Sequence, residues 1–208
     1  MSTAEKGSNA NSRLEALCDG VFAIAMTLLV IEVRAPDPES IHSAADLWAV
    51  LRNATPNIGA FLLSFTIIFI TWVNHHAVVR SIPRTSAIFL FANGFLLLTV
   101  AFIPFPTALL GKFMLSDSAA PAVVVYNAVL AAQAVAWILI SRSALRGGLA
   151  RDVDAEGSLR KNERSAYGAL VLYSLLSIIA VWLPTVVAML TTATWIVWLV
   201  ISLRAKHA

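Results

Sequence analysis

A few ionisable and polar side chains lie inside long apolar stretches, and their types and spacing could do chemistry. Asp19 lies one to two turns inside the first stretch, six residues after Arg13. The second stretch ends with Trp72, His75 and His76. Because such groups are costly inside a bilayer, they mark a functional path or a buried polar network. We predict one buried network that joins Asp19, Arg13 and Trp72 to His75 or His76.

This network could hold helices together or relay protons. A relay across the membrane needs further ionisable groups, and the first stretch offers none between Asp19 and Glu32. A structural role is therefore favoured. A proton- or ion-coupled secondary transporter that uses Asp19, His75 and His76 is the alternative.

Other site chemistries find little support in the sequence. The single cysteine, Cys18, excludes an internal disulfide and a four-cysteine zinc site. Haem in a helical bundle usually takes one histidine from each of two helices, but His75 and His76 are adjacent. There is no His-Glu-x-x-His motif for zinc, and no Ser, His and acid arrangement stands out. We predict no enzymatic activity and no bound cofactor.

A second pattern lies on another face of the first stretch. Ile24, Leu28 and Ile31 follow each other at helical spacing, and Asp19 lies about 140° around the helix from Ile24. Such a stripe of small and branched residues usually packs against other helices. The alternative is that it lines the axial pore of a symmetric oligomer. The full stripe is Gly20, Ala23, Ile24, Thr27, Leu28 and Ile31.

The elements that must position these residues are membrane-spanning helices. Of 208 residues, 59% are hydrophobic and 13% are charged, whereas about a quarter of the residues in a soluble domain are charged. This composition predicts an all-α membrane protein, in which each transmembrane helix takes about 20 apolar residues. Six apolar runs, which we call spans 1 to 6, lie at about 14–33, 47–73, 86–110, 120–140, 166–183 and 185–203.

Prolines mark the ends and bends of these spans. Pro104 and Pro106 fall inside span 3 and should kink or unwind its outer end. Spans 5 and 6 are separated only by Leu183 and Pro184. They must therefore form either a tight hairpin or one kinked element.

Lys and Arg residues set the orientation. Placing the N-terminus inside leaves only Arg34, Arg52 and Lys112 outside and puts 12 of the 15 Lys and Arg residues on the cytoplasmic side. Both termini are predicted to be cytoplasmic, as is the connector at 142–166, a solvated amphipathic segment with anionic-lipid contact as the alternative. Basic residues beside membrane spans are expected from this orientation rule, and they explain the net charge of +3. No nucleic-acid partner is predicted.

The stretch RLEALCDGVFAIAMTLL at 13–29 resembles the signature of the endosomal and lysosomal transmembrane potassium channel family. That signature is an Arg, three residues, Phe-Ser-Asp, then an Ala-Ile pair and a Thr-Leu-Leu triplet. Leu17 and Cys18 stand in place of the family's Phe and Ser. The likeness continues through WVNHH at 72–76, Asn93 and FIPFPTALLG at 102–111.

The resemblance implies a six-helix subunit of which four assemble around an axis lined by span 1. This chain has one such repeat and is similar to the bacterial form. The resemblance makes Ile24 the narrowest apolar ring, Leu28 and Ile31 further layers, and Thr27 a ring of hydroxyls. It also adds Asn93 to the polar network.

Together these observations predict a homotetrameric, potassium-preferring cation channel that conducts passively and resides in a bacterial cell membrane. Its partners are other copies of the chain, membrane lipids and permeant monovalent cations, with K⁺ as the permeant ion. The predicted organisation is a polar tail at 1–12, a channel domain at 13–204 and a C-terminal tail at 205–208.

Overall fold

The computed structural model describes the backbone of residues 3–204 and the side chains of residues 11–198. The predicted C-terminal tail at 205–208 lies outside this part of the chain. The described residues form eight α-helices, two short 3-10 helices and no strand. The α-helices are α1 (Thr3–Leu28), α2 (Ala44–Asn53), α3 (Thr55–Arg80), α4 (Ala87–Phe102), α5 (Pro104–Phe113), α6 (Ala119–Arg146), α7 (Val153–Ile179) and α8 (Pro184–Arg204).

Span 1 is α1 followed by a 3-10 helix over Leu29–Glu32. Its buried side chains recur every three or four residues and therefore lie on one face of the helix. This face packs against α3 and α4. The buried residues are Leu14, Cys18, Phe22, Ala25 and Leu29. α1 begins at Thr3 and therefore includes most of the predicted polar tail at 1–12.

The apolar run at 47–73 is not one helix. The structure divides it into α2 and α3, and Pro56 lies in the first turn of α3. Proline is well tolerated there because the backbone N–H it lacks has no helical acceptor at that position. Ser43 caps the start of α2 by accepting a hydrogen bond from the Asp46 backbone N–H, at 3.1 Å. Apolar content alone did not reveal this boundary.

The break predicted within span 3 is confirmed. α4 ends at Phe102 and α5 begins at Pro104, so that Ile103 alone joins the two helices. The ring of Pro104 cannot continue the helix before it, but it suits the first turn of the next.

The predicted cytoplasmic connector at 142–166 is largely helical. α6 continues to Arg146 and α7 begins at Val153, so the loop between them is short. Gly148 has a φ of +56°, which a side chain would strain. Asp152 caps α7 through the Ala155 backbone N–H at 2.8 Å, and this hydrogen bond lowers the pKa of the Asp152 carboxyl.

Spans 5 and 6 form the hairpin that was one of the two predicted arrangements. α7 ends at Ile179, α8 starts at Pro184, and the two helices lie side by side. The rings of Tyr173 and Trp195 stack with their centroids 6.2 Å apart.

Four helical stretches in the described part of the chain are long and apolar enough to cross a membrane. They are Asn11–Glu32, Thr55–Arg80, Ala87–Phe113 and Ala119–Arg146, and they correspond to spans 1 to 4. α7 carries polar and charged residues through its first half, and the described apolar part of α8, Pro184–Trp198, is shorter.

The predicted orientation can be tested with single cysteines, because the natural Cys18 is fully buried. Ser40, Ser116 and Ser158 are exposed. We expect Ser40→Cys and Ser116→Cys to react with a membrane-impermeant maleimide in intact cells. Ser158→Cys should react only after the cells are permeabilised. Labelling of Ser158→Cys in intact cells would contradict the orientation.

Candidate functional site

The stripe on α1 faces away from the rest of the subunit. All six of its members are exposed, and Ile24 is 59% exposed. At 100° per residue the stripe lies nearly opposite the buried face that contains Phe22 and Ala25. One chain therefore leaves a row of apolar side chains on α1 uncovered.

Thr27 is the polar member of this row. Its hydroxyl donates a hydrogen bond to the Ile24 carbonyl of the same helix, at 2.8 Å. The hydroxyl hydrogen is thereby used, and the oxygen can still accept from water or contact a cation. The stripe thus combines apolar side chains with one layer of acceptor oxygen.

Asp19 makes a direct contact with α3. The indole N–H of Trp72 donates to Asp19 Oδ1 at 2.7 Å. Both Asp19 and Arg13 are exposed in the single chain. Arg13 has no ion-pair partner among the side chains that the structure describes.

His75 belongs to a separate, buried contact between α3 and α4. Its Nε2 lies 2.8 Å from Asn93 Oδ1, and Asn93 Nδ2 donates to the Phe89 carbonyl at 2.7 Å. The ring centroids of Phe22 and His75 are 5.6 Å apart. Through the oxygen and the nitrogen of its side-chain amide, Asn93 links the His75 side chain on α3 to the backbone of α4.

His76 contacts Glu15 and Trp72 and lies apart from the His75 contact. Its Nδ1 lies 3.6 Å from Glu15 Oε1, and its ring stacks on Trp72 with the centroids 6.0 Å apart. Adjacent residues on a helix are about 100° apart, so His75 and His76 face different neighbours. The predicted residues therefore fall into two groups: Trp72 links Asp19 to His76, whereas His75 bonds to Asn93. Glu15 was not among the predicted residues, although it lies four residues before Asp19, a spacing that brings two side chains close on a helix.

Buried hydroxyl groups form a further contact that the sequence analysis missed. Ser64 Oγ lies 2.6 Å from Thr107 Oγ1 and 2.9 Å from Tyr126 Oη, joining α3, α5 and α6. Thr191 donates to Asn127 Oδ1 at 3.0 Å and joins α8 to α6. The signal in the sequence was the scattered polar residues within the apolar runs, such as Ser64 in span 2 and Asn127 in span 4. Nowhere in the described residues do three His, Cys, Asp or Glu side chains gather as a metal site.

An ion pair lies at the C-terminal end of span 1. Lys112 Nζ on α5 lies 3.8 Å from Glu32 Oε2, at the end of the 3-10 helix. Both side chains are partly exposed, so the pair contributes roughly 0–1 kcal/mol at most.

The contact between His75 and Asn93 leads to a stability prediction. Asn93→Leu leaves His75 Nε2 buried without a partner, which should lower the free energy of unfolding by about 1–3 kcal/mol. Thr99→Val is the matched control, because the buried Thr99 hydroxyl bonds only to the Leu96 carbonyl of its own helix. Thermal unfolding of both variants in detergent measures the difference. Equal melting temperatures would contradict the proposed importance of this contact.

The chain is similar to proteins of one known family. A sequence model of the family described as endosomal/lysosomal potassium channel TMEM175 matches residues 13–104. A potassium channel of Chamaesiphon minutus is 37% identical over 175 residues, covering 82% of this chain and 86% of that protein. A potassium channel of Streptomyces collinus is 36% identical over 165 residues, covering 78% of this chain and 79% of that protein.

A solved structure extends the likeness to the whole fold. The crystal structure of a lysosomal potassium-selective channel TMEM175 homolog from Chamaesiphon minutus matches with a TM-score of 0.78 and 33% identity. The match covers 93% of this chain and 98% of that chain. The apolar, membrane-length helices and the channel relatives make the chain an integral membrane protein. Because the family consists of channels, the chain is not an enzyme. It belongs to the TMEM175 family of potassium channels.

Proposed function

We propose that the chain is a potassium-preferring cation channel whose conduction path is surrounded by the α1 helices of four subunits. The observation that carries this proposal is the uncovered stripe on α1. The opposite face of the same helix packs on α3 and α4, which fixes the direction in which the stripe points. Permeation by K⁺ is supported by the potassium channels among the relatives.

The alternative partner for an exposed apolar stripe is lipid, and Asp19 argues against it. This carboxylate is exposed on the flank of α1, between the buried face and the stripe. An ionisable side chain facing lipid is costly. Neighbouring subunits around a central path would shield Asp19 from the lipid, while Ile24 faces the axis.

Ile24 is the residue that we assign to the narrowest ring, with Leu28 and Ile31 as further apolar layers. Four branched side chains around an axis offer an ion no ligands, so passage requires water to enter a narrow, dry segment. Thr27 would place hydroxyl oxygens beside that segment. Conduction through such a constriction is passive.

The proposed membrane arrangement has six spans, of which α7 and α8 supply the last two. Both termini and the connector at 142–166 lie on the cytoplasmic side, because this placement puts most Lys and Arg residues there. The channel domain extends over 13–204, and the host membrane is a bacterial cell membrane.

Ile24→Asn tests the pore assignment. The amide brings hydrogen-bonding groups into the dry ring, so water and ions should enter more easily. We expect a severalfold larger unitary conductance and a weaker preference for K⁺ over Na⁺. Planar-bilayer recordings with K⁺ on one side and Na⁺ on the other measure both quantities.

Ile178→Asn is the matched control, because Ile178 on α7 is 58% exposed, almost the same fraction as Ile24. It should leave the unitary conductance and the ion preference unchanged. If Ile24→Asn also leaves both unchanged in an intact oligomer, Ile24 does not form the constriction.

Substitutions of Asp19 and Arg13 test the role of the flank of α1. Asp19→Ala leaves the Trp72 indole without its acceptor and removes a charge from the proposed subunit boundary. We expect Asp19→Ala and Arg13→Ala to reduce the fraction of assembled oligomer, measured by native mass spectrometry, more than they change the ion preference. Stable oligomers that have lost proton-coupled flux would instead favour the transporter alternative.

A further inference from the structure

We propose that the groove between the start of α4 and the end of α6 binds an anionic phospholipid through its phosphate headgroup. The groove has a volume of about 550 Å³ and lies away from the α1 stripe. Its lining combines arginines, hydroxyl groups and exposed apolar side chains. This inference goes beyond the proposed conduction path and does not depend on it.

The basic side of the groove comes from α6. Arg142 and Arg146 are four residues apart, so they lie on the same side of that helix. Arg142 Nε donates to Glu163 Oε1 at 2.8 Å, and its guanidinium lies 5.3 Å from the centre of the Tyr167 ring. These contacts hold the guanidinium in place and leave its two terminal amino groups as donors.

Arg146 carries the uncompensated charge. It is exposed, and no ion pair to it is formed by the described side chains. None of the residues that line the groove is acidic. A phosphate would therefore meet a net positive site, and arginine binds phosphate oxygens through paired N–H groups.

Ser86 adds a hydroxyl group at the start of α4. Its Oγ accepts a hydrogen bond from the Phe89 backbone N–H at 3.2 Å, which caps the helix and leaves the hydroxyl hydrogen free to donate. Ser86 and the arginines thus provide donors from two helices.

The apolar side of the groove distinguishes a lipid from free phosphate. Ile88 and Phe91 on α4 are 73% and 79% exposed, and Leu139 on α6 is 44% exposed. Leu139 lies about one turn before Arg142 and two turns before Arg146 on α6. The polar groups therefore lie at the helix ends, at the depth of a lipid headgroup. The apolar groups lie deeper in the membrane, at the depth of the acyl chains. In the proposed orientation this is the cytoplasmic leaflet, where anionic lipids attract basic residues.

Occupation of the groove should stabilise the subunit. Ala92 lines the groove, and the next residue, Asn93, bonds to the buried His75 side chain on α3. A lipid bound against this turn of α4 favours the folded state by mass action.

The test uses the full chain, purified in detergent and stripped of lipid. We expect phosphatidylglycerol to raise its melting temperature and to remain bound in native mass spectra, whereas phosphatidylcholine should do neither at the same concentration. Arg146→Gln should weaken phosphatidylglycerol binding about 10-fold, because it removes a charge-assisted contact to phosphate. Phe91→Ala, which removes acyl-chain contacts, should weaken it severalfold.

Arg164→Gln is the matched control, because Arg164 is also exposed and lies outside the groove on the same proposed side of the membrane. It should bind phosphatidylglycerol as the unmodified chain does. Equal binding by Arg146→Gln and Arg164→Gln would overturn the proposal. So would a similar stabilisation by inorganic phosphate alone, or a change in subunit number in Arg146→Gln, which would identify the groove as an interface between copies.

Discussion

A polar group inside a bilayer has no water to bond to, and the packing of this subunit depends on that constraint. Most of the buried polar side chains in the described residues reach a partner on another helix or on their own backbone, and the Trp195 indole N–H is an exception. Asn93 does both, since its carbonyl meets His75 on α3 while its amide group bonds to the α4 backbone. The hydroxyl groups of Ser64, Thr107 and Tyr126 join α3, α5 and α6 in the same way. These contacts fix which helices are neighbours, and apolar side chains then fill the space between them.

The position of α1 follows from this packing. One face of the helix is buried against α3 and α4, so the opposite face has no partner within the subunit. The bond between Trp72 and Asp19 sets the rotation of the helix about its own axis. A rotation of 100° would bury the carboxylate or expose Phe22, and both changes are costly. The stripe therefore points outward because of contacts made elsewhere on the helix.

Much of this arrangement could be predicted from the sequence, and the exceptions have physical causes. Spans 1 to 4 were recognisable from apolar runs, and the break at Pro104 from the geometry of proline. The boundary between α2 and α3 was missed because both helices are apolar and Pro56 lies inside a helical turn. The predicted polar network was divided because His75 and His76 are neighbours in sequence but not on the helix surface. The exposure of Asp19 could not be predicted, since it depends on which helices flank α1. The number of subunits is a property of several chains together.

The two ends of span 1 are held by bonds of different kinds. Towards the N-terminal end, Asp19 accepts from the neutral indole of Trp72 at 2.7 Å, and a hydrogen bond of this type depends little on dissolved salt. At the C-terminal end, Glu32 and Lys112 are 3.8 Å apart and partly open to solvent, where ions screen opposite charges over about 10 Å at 0.1 M salt. The contact at Asp19 is thus less sensitive to salt than the contact at Glu32. The strength of the contact between Glu32 and Lys112 therefore depends on the ionic composition of the surrounding medium.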